Sequence, residues 1–209
     1  MNFNCCKFVP KLNLPEMKPV DKYQFLKDLE SIVEKHISES IMLFQNQSEE
    51  GLNRPSDTGG WSIAQCLDHL NSYGNYYLPL LNKKLSSAEE DSKAPFSASW
   101  LGSYFSKMME PGPAQKKYKA HKNHVPAANL NALQIVDTFI TQQETMLLYL
   151  REAQSKDINS PKIPLSVIRL VRINVGDVFR FLVTHNERHM QQAKRNLVPK
   201  PEPSGLHAS

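Results

Sequence analysis

A chain of 209 residues with 40% hydrophobic and 22% charged side chains is long enough to bury a core as one domain without staples. Three cysteines build no disulfide framework, no apolar run reaches membrane-spanning length, and the opening MNFNCCKFVPKLNLPEMKP has neither an apolar h-region nor a small-residue cleavage site. A cytoplasmic protein with no membrane partner is therefore expected, and a formal net charge of +4 is too mild to indicate nucleic acid.

Residues 1–20 carry three prolines and no hydrophobic period, and are read as an N-terminal arm. From Asp21 the apolar positions Phe25, Leu29, Ile32, Val33, Ile37, Ile41 and Phe44 recur at three and four residues, which predicts an amphipathic helix to about Gln47. His36 lies at the edge of that face and reads as packing. The stretch SEEGLNRPSDTGG is a loop by its glycines, proline and small polar residues. Ser62 followed by Gln65 then forms a capping box that starts a second helix, and Trp61 before it can close the end as a hydrophobic staple. The inner face of this helix, Cys66, His69, Leu70, Tyr73, Tyr77 and Leu81, carries a histidine in an apolar row. Cys66 could join His69 as a Cys-x-x-His pair, but a small buried thiol is read first as packing.

The connection after this helix opens polar (SSAEEDSKAP). It continues into ASWLGSYFSKMME, where Trp100, Leu101, Tyr104, Phe105 and Met108 form one apolar stripe on a short helix expected to lid the bundle. An irregular basic loop follows, with Lys116, Lys117, Lys119 and Lys122 but no recognition motif, so nucleic-acid binding is not expected. His121 and His124 in this loop are read as solvated rather than as ligands. A third helix is predicted from about Asn129 to Ala153, with Leu133, Val136, Ile140, Leu147 and Leu150 in a heptad-like row. SKDINSPKIP turns the chain, LSVIRLVRI is ambiguous with an extended run as one reading, and the last helix opens near Asn174. The proline-rich residues 198–209 are read as a flexible tail.

The last helix carries the chemistry. His185 and His189 stand four residues apart, an advance of about 6 Å and ~40° around the axis, so both imidazoles share one face and can share one ion. The row Val178, Leu182, His185, His189, Ala193 turns that face toward the core. A zinc-protease H-E-x-x-H reading fails because Asn186 follows the first histidine and Glu187 points roughly opposite to it. The chain has no Glu-x-x-His pair, which argues against a di-iron carboxylate bundle.

WSIAQCLDHL near the start of the second helix and HNERHMQQ in the last one together resemble the DinB-like (YfiT-like) superfamily of metal-binding four-helix bundles. In that family a Trp-Ser/Thr-x-x-Glu/Gln opening is followed by a histidine eight residues after the Trp. A late H-x-x-x-H completes a three-histidine site. Trp61 and His69 match that spacing, as do His185 and His189, with Gln192 in the usual downstream glutamine place. The resemblance covers roughly residues 21–197 and implies an all-α fold in which His69, His185 and His189 hold a divalent ion, zinc, nickel or iron. Where the chain departs from the family is the long connection after the second helix.

Three neutral imidazoles with an open fourth position make a catalytic type of site, able to lower the pKa of a water or thiol toward neutrality. The resemblance implies a thiol-dependent transfer or isomerisation. The expected activity is thus a low-molecular-weight-thiol S-transferase or a metal-assisted hydrolase acting on a small molecule, with a homodimer as a candidate assembly. A non-catalytic metal-binding bundle serving as a stress-response or interaction module is the alternative. The expected topology over residues 21–197 is up-down-down-up. Short loops after helices one and three suit antiparallel neighbours, and segment 86–128 can serve as a long crossover between helices two and three. Ser97 to Val125 is expected to border the pocket.

Overall fold

The computed structural model describes residues 18–57, 59–91, 93–111, 119–127 and 129–197. Most of the expected arm (1–17), the expected tail (198–209), Lys116 and Lys117 lie outside these described residues. The chain is mostly helical: α1 (Lys22–Leu43), α2 (Glu49–Asn53), α3 (Ile63–Ser86), α4 (Trp100–Met109), α5 (Ala132–Glu152) and α6 (Val175–Lys194). A two-stranded antiparallel hairpin, β1 (Lys162–Pro164) and β2 (Arg172–Asn174), precedes α6. No helix among the described residues is long and apolar enough to cross a membrane.

Side-chain caps set where the long helices begin. Asp21 accepts from the Gln24 amide at 2.7 Å, Asn131 from Gln134 at 3.1 Å, and Asn174 from Asp177 at 2.7 Å. Each satisfies one of the free first-turn N–H groups, worth about 1 kcal/mol. At Ser62 the predicted capping box is complete: its hydroxyl accepts from the Gln65 amide and the Gln65 side chain accepts from the Ser62 amide. α1 ends at Leu43, short of the predicted Gln47, because Phe44 folds inward into the core. Val20, at the end of the expected arm, pairs with Phe96 through two backbone hydrogen bonds of 2.9 Å.

Four long helices enclose the core, with α1 and α3 each packed against both α5 and α6. Specific contacts give their directions. Along α1 and α6, Arg180 lies over the Phe25 ring, Glu187 meets His36, and Lys194 meets Glu39, so these two helices run parallel. Arg151 near the end of α5 and Gln154 just past it reach Glu34 and Glu30 in the middle of α1 in reverse order, which makes α1 and α5 antiparallel. Asn71 and Asn75 on α3 bond to Ile135 and Gln142 in the same order, so α3 and α5 are parallel. Tyr77, Tyr73 and His69 descend α3 against Phe181, His185 and His189 ascending α6. The connections after α1 and α5 are not the short loops expected, since 44–62 contains α2 and 153–174 contains the hairpin.

Two core clusters fill the interior. Fully buried side chains such as Leu26, Leu67, Leu81 and Phe179 each contribute about 1.5–3 kcal/mol of burial. The ambiguous run before α6 is extended in part: Ile163 pairs with Ile173, both fully buried, and Pro161 and Ile158 carbonyls accept from the first amides of α6. The segment leading into the hairpin thus satisfies the first amides of α6, beside the Asn174 cap.

The single apolar stripe expected on α4 is split. Leu101 and Phe105 pack on the core, whereas Trp100 and Tyr104 stack on each other and stay exposed. The buried centre of the α4 inner face is formed by Gly102 and Ser106, with Leu101 and Phe105 beside them. Asp177 on α6 is fully buried against Gly102 and accepts from the Ser99 amide at 2.9 Å. A Cβ at Gly102 would overlap that carboxylate. Gly102→Ala is expected to lower unfolding stability by about 1–3 kcal/mol in urea titration, as overpacking does.

Candidate metal centre

The capping box starts α3 with a phase that puts His69 on the inner face, and the antiparallel crossing brings it opposite His185 and His189. All three are buried, at 3%, 2% and 9% exposure. One nitrogen from each can be chosen so that all lie within 4.8 Å of one another. His69 Nε2 and His185 Nε2 stand 3.2 Å apart. Two nitrogens bound tetrahedrally to a single zinc ion at 2.0–2.1 Å are about 3.3 Å apart, so this pair fits one ion. An all-imidazole donor set suits zinc, nickel or iron.

Tautomers decide whether those nitrogens can donate a lone pair. The His124 backbone carbonyl, which can only accept, lies 2.6 Å from His69 Nδ1. It fixes the proton there and leaves His69 Nε2 as a lone pair. Gln192 Oε1 does the same for His189 Nδ1 at 3.0 Å. His185 Nδ1 is buried and has no hydrogen-bond partner. Burial lowers the pKa of all three histidines, that of His189 to about 3 and that of His185 well below its usual value. They are neutral at pH 7 and ready to bind a cation without first losing a proton.

The neighbouring polar side chains have partners of their own or lie apart from the cluster. Asn186 donates to Gln143 at 3.0 Å in the bundle interior. Glu187 turns to α1, where it meets His36 at 2.8 Å and Lys35 at 3.2 Å, and the His36 imidazole does most to hold its carboxyl well below the usual range. His36 is fully buried on this partner, in keeping with packing. Cys66 is also fully buried, with its thiol pushed up to about 12 by burial, and is not among the clustered donors.

Two expectations are corrected. His124 is not solvated: its ring stacks on Tyr73 with centroids 3.8 Å apart and its Nδ1 lies 2.8 Å from Ser72 Oγ. It supports the site through its carbonyl rather than its ring, while His121 lines the cavity described next. Trp61 is more than a staple, since its indole lies against the rings of His69 and His189 at 4.8 and 5.7 Å.

The three histidines line a cavity of about 1100 Å³. Phe105, Met108 and Met109 of α4, together with Lys119, Ala120 and His121, form part of its wall, so the long connection borders the pocket. A family model, that of the DinB superfamily, matches residues 32–193, a range that includes all three histidines. No curated protein and no solved structure matches the chain.

Gln192→Ala removes the acceptor that aims His189, and zinc affinity measured by competition with a chelating dye is expected to fall about 10–100-fold. Unchanged affinity would remove Gln192 from the site. The metal-stripped protein should also be acid-labile. His189 and His124 have folded pKa values of about 3 and about 4, against 6.5 for the free side chain. Between those values the unfolded chain binds more protons, so stability falls as pH drops from about 6.5 toward 4. Urea midpoints measured across that range check this, and a flat profile would contradict neutral burial.

Proposed function

The chain belongs to the DinB superfamily, and from that premise we propose that it is a metal-dependent enzyme, either a low-molecular-weight-thiol S-transferase or a metal-assisted hydrolase. The observation that carries this reading is the clustering of His69, His185 and His189, with one nitrogen of each within 4.8 Å of the others, at the wall of a large cavity. The ion proposed is zinc, nickel or iron. When bound, it would supply Lewis acidity that lowers the pKa of a thiol or water. The protein's own share is orientation. The His124 carbonyl and Gln192 hold two imidazoles in register, Trp61 and Tyr73 pack against the histidine rings, and the cavity receives a small-molecule substrate.

The scaffold is proposed to be a four-helix bundle of α1, α3, α5 and α6 in up-down-down-up order over residues 21–197, with segment 86–128 as the crossover. The register contacts among those helices support it. A cytoplasmic location and a homodimeric assembly belong to the same proposal. A second reading, a non-catalytic metal-binding bundle, draws on one observation: the only carboxylate among the described lining residues is Asp57, outside the histidine cluster, so no acidic side chain stands ready as a general base.

Elemental analysis of protein purified without a metal-affinity tag should find about one divalent ion per chain, reduced at least about tenfold in each of His69→Ala, His185→Ala and His189→Ala. Undiminished metal in all three variants would sink the ligand set. Turnover of thiol and electrophile pairs by the loaded but not the stripped protein separates the enzyme from the non-catalytic reading.

A further inference from the structure

The cavity is polarised along its length. α6 lines one side from Phe181 to Arg195, a rise of about 20 Å. At the Phe181 end the described lining side chains are Tyr77, Phe105, Leu165, Ser166 and Val167, none of them charged. At the other end stand Arg54 and Arg195, beside Asn196, and Asp57 is the one carboxylate among the described lining residues. Arg54 is tied to that end by donating to the Asn196 carbonyl at 2.9 Å. Arg188 lies between, near the histidines, and donates to the Met108 carbonyl at 3.3 Å, while Lys119 adds a fourth cation to the lining. The three histidines occupy the middle: Phe181 stacks on His185 on the apolar side, and Gln192 leads from His189 toward Arg195.

From this we infer that the cavity takes an elongated amphipathic anion, its apolar body among Phe105, Val167, Tyr77 and Phe181, its anionic end at Arg54 and Arg195, and its middle beside the three histidines. An apolar chain is favoured at the uncharged end because it leaves no buried charge unpaired, and a carboxylate or phosphate is favoured at the guanidinium end by charge-assisted hydrogen bonds. As a statement about substrate this rests on the metal-centre reading above. As a statement about binding it rests on the cavity alone.

Dodecanoate, 1-dodecanol and acetate separate these contributions when titrated calorimetrically into metal-stripped protein, so that no carboxylate can be held by an ion. Dodecanoate should bind about tenfold more tightly than 1-dodecanol through the arginines, and at least about a hundredfold more tightly than acetate through its methylenes. In the Arg54→Ala/Arg195→Ala double variant dodecanoate should fall to the level of 1-dodecanol. The 1-dodecanol affinity itself should stay as in the parent, which also reports an intact cavity. Phe105→Ala should weaken both long-chain ligands alike. Equal binding of dodecanoate and 1-dodecanol to the parent, or dodecanoate selectivity that survives in the double variant, overturns the inference. Zinc uptake when the same preparations are reloaded judges the metal centre separately, so selectivity for the carboxylate in a chain that takes up no zinc would uphold the cavity assignment and discard the histidine one.

Discussion

Burying three imidazoles between two apolar helix faces is the constraint that organises this molecule. A buried polar nitrogen without a partner costs about 1–3 kcal/mol, and here three such rings share one space. The chain answers on the outer side of two rings with acceptors, the His124 carbonyl and Gln192 Oε1. Those bonds leave lone pairs of His69 and His189 facing inward, where a cation answers them better than any neutral group available. The surrounding architecture follows from holding that geometry. The capping box sets the phase of α3, the Asn174 cap and the Ile158 and Pro161 carbonyls hold the start of α6, and the segment through His124 is pinned by Ser72 and Tyr73.

Much of this is legible in the amino-acid sequence, because helix periodicity and caps are local. Ser62 with Gln65, Asp21 and Asn174 mark helix starts by their own side-chain chemistry, and His69, His185 and His189 fall on apolar rows that must face a core. What is not legible there depends on contacts between distant segments. The acceptor for His69 is a backbone carbonyl, which every residue possesses, so nothing in the residue types around His124 marks it. The docking of α4 is governed by Gly102 fitting over Asp177, and no count of apolar positions weighs a missing side chain. Leu133 and Ile41 fit their helical rows by period yet lie exposed, because a row shows which side is apolar but not how wide the neighbouring helix is. The neighbour relations of the four long helices escape periodicity for the same reason.

The large cavity joins these local and distant features. Its floor comes from α3 and α6, its wall from α4, the hairpin and the segment through His121, and its cationic end from the loop before α3 and the end of α6. Gln192 both orients an imidazole and lines this space, whereas Arg54, Arg195 and Phe105 line it without orienting any of the three rings. Binding of an ion and choice of a ligand can be altered separately, which makes the two readings of this site open to independent experiment.

The central claim is that three imidazole nitrogens, and no sulfur, hold a divalent ion in this bundle. X-ray absorption spectroscopy on the zinc-loaded chain tests it most directly. The expected spectrum shows nitrogen or oxygen scatterers at about 2.0–2.1 Å with the outer-shell pattern of about three imidazoles. A sulfur scatterer at about 2.3 Å, which would bring in Cys66, or a spectrum without imidazole features, would contradict it.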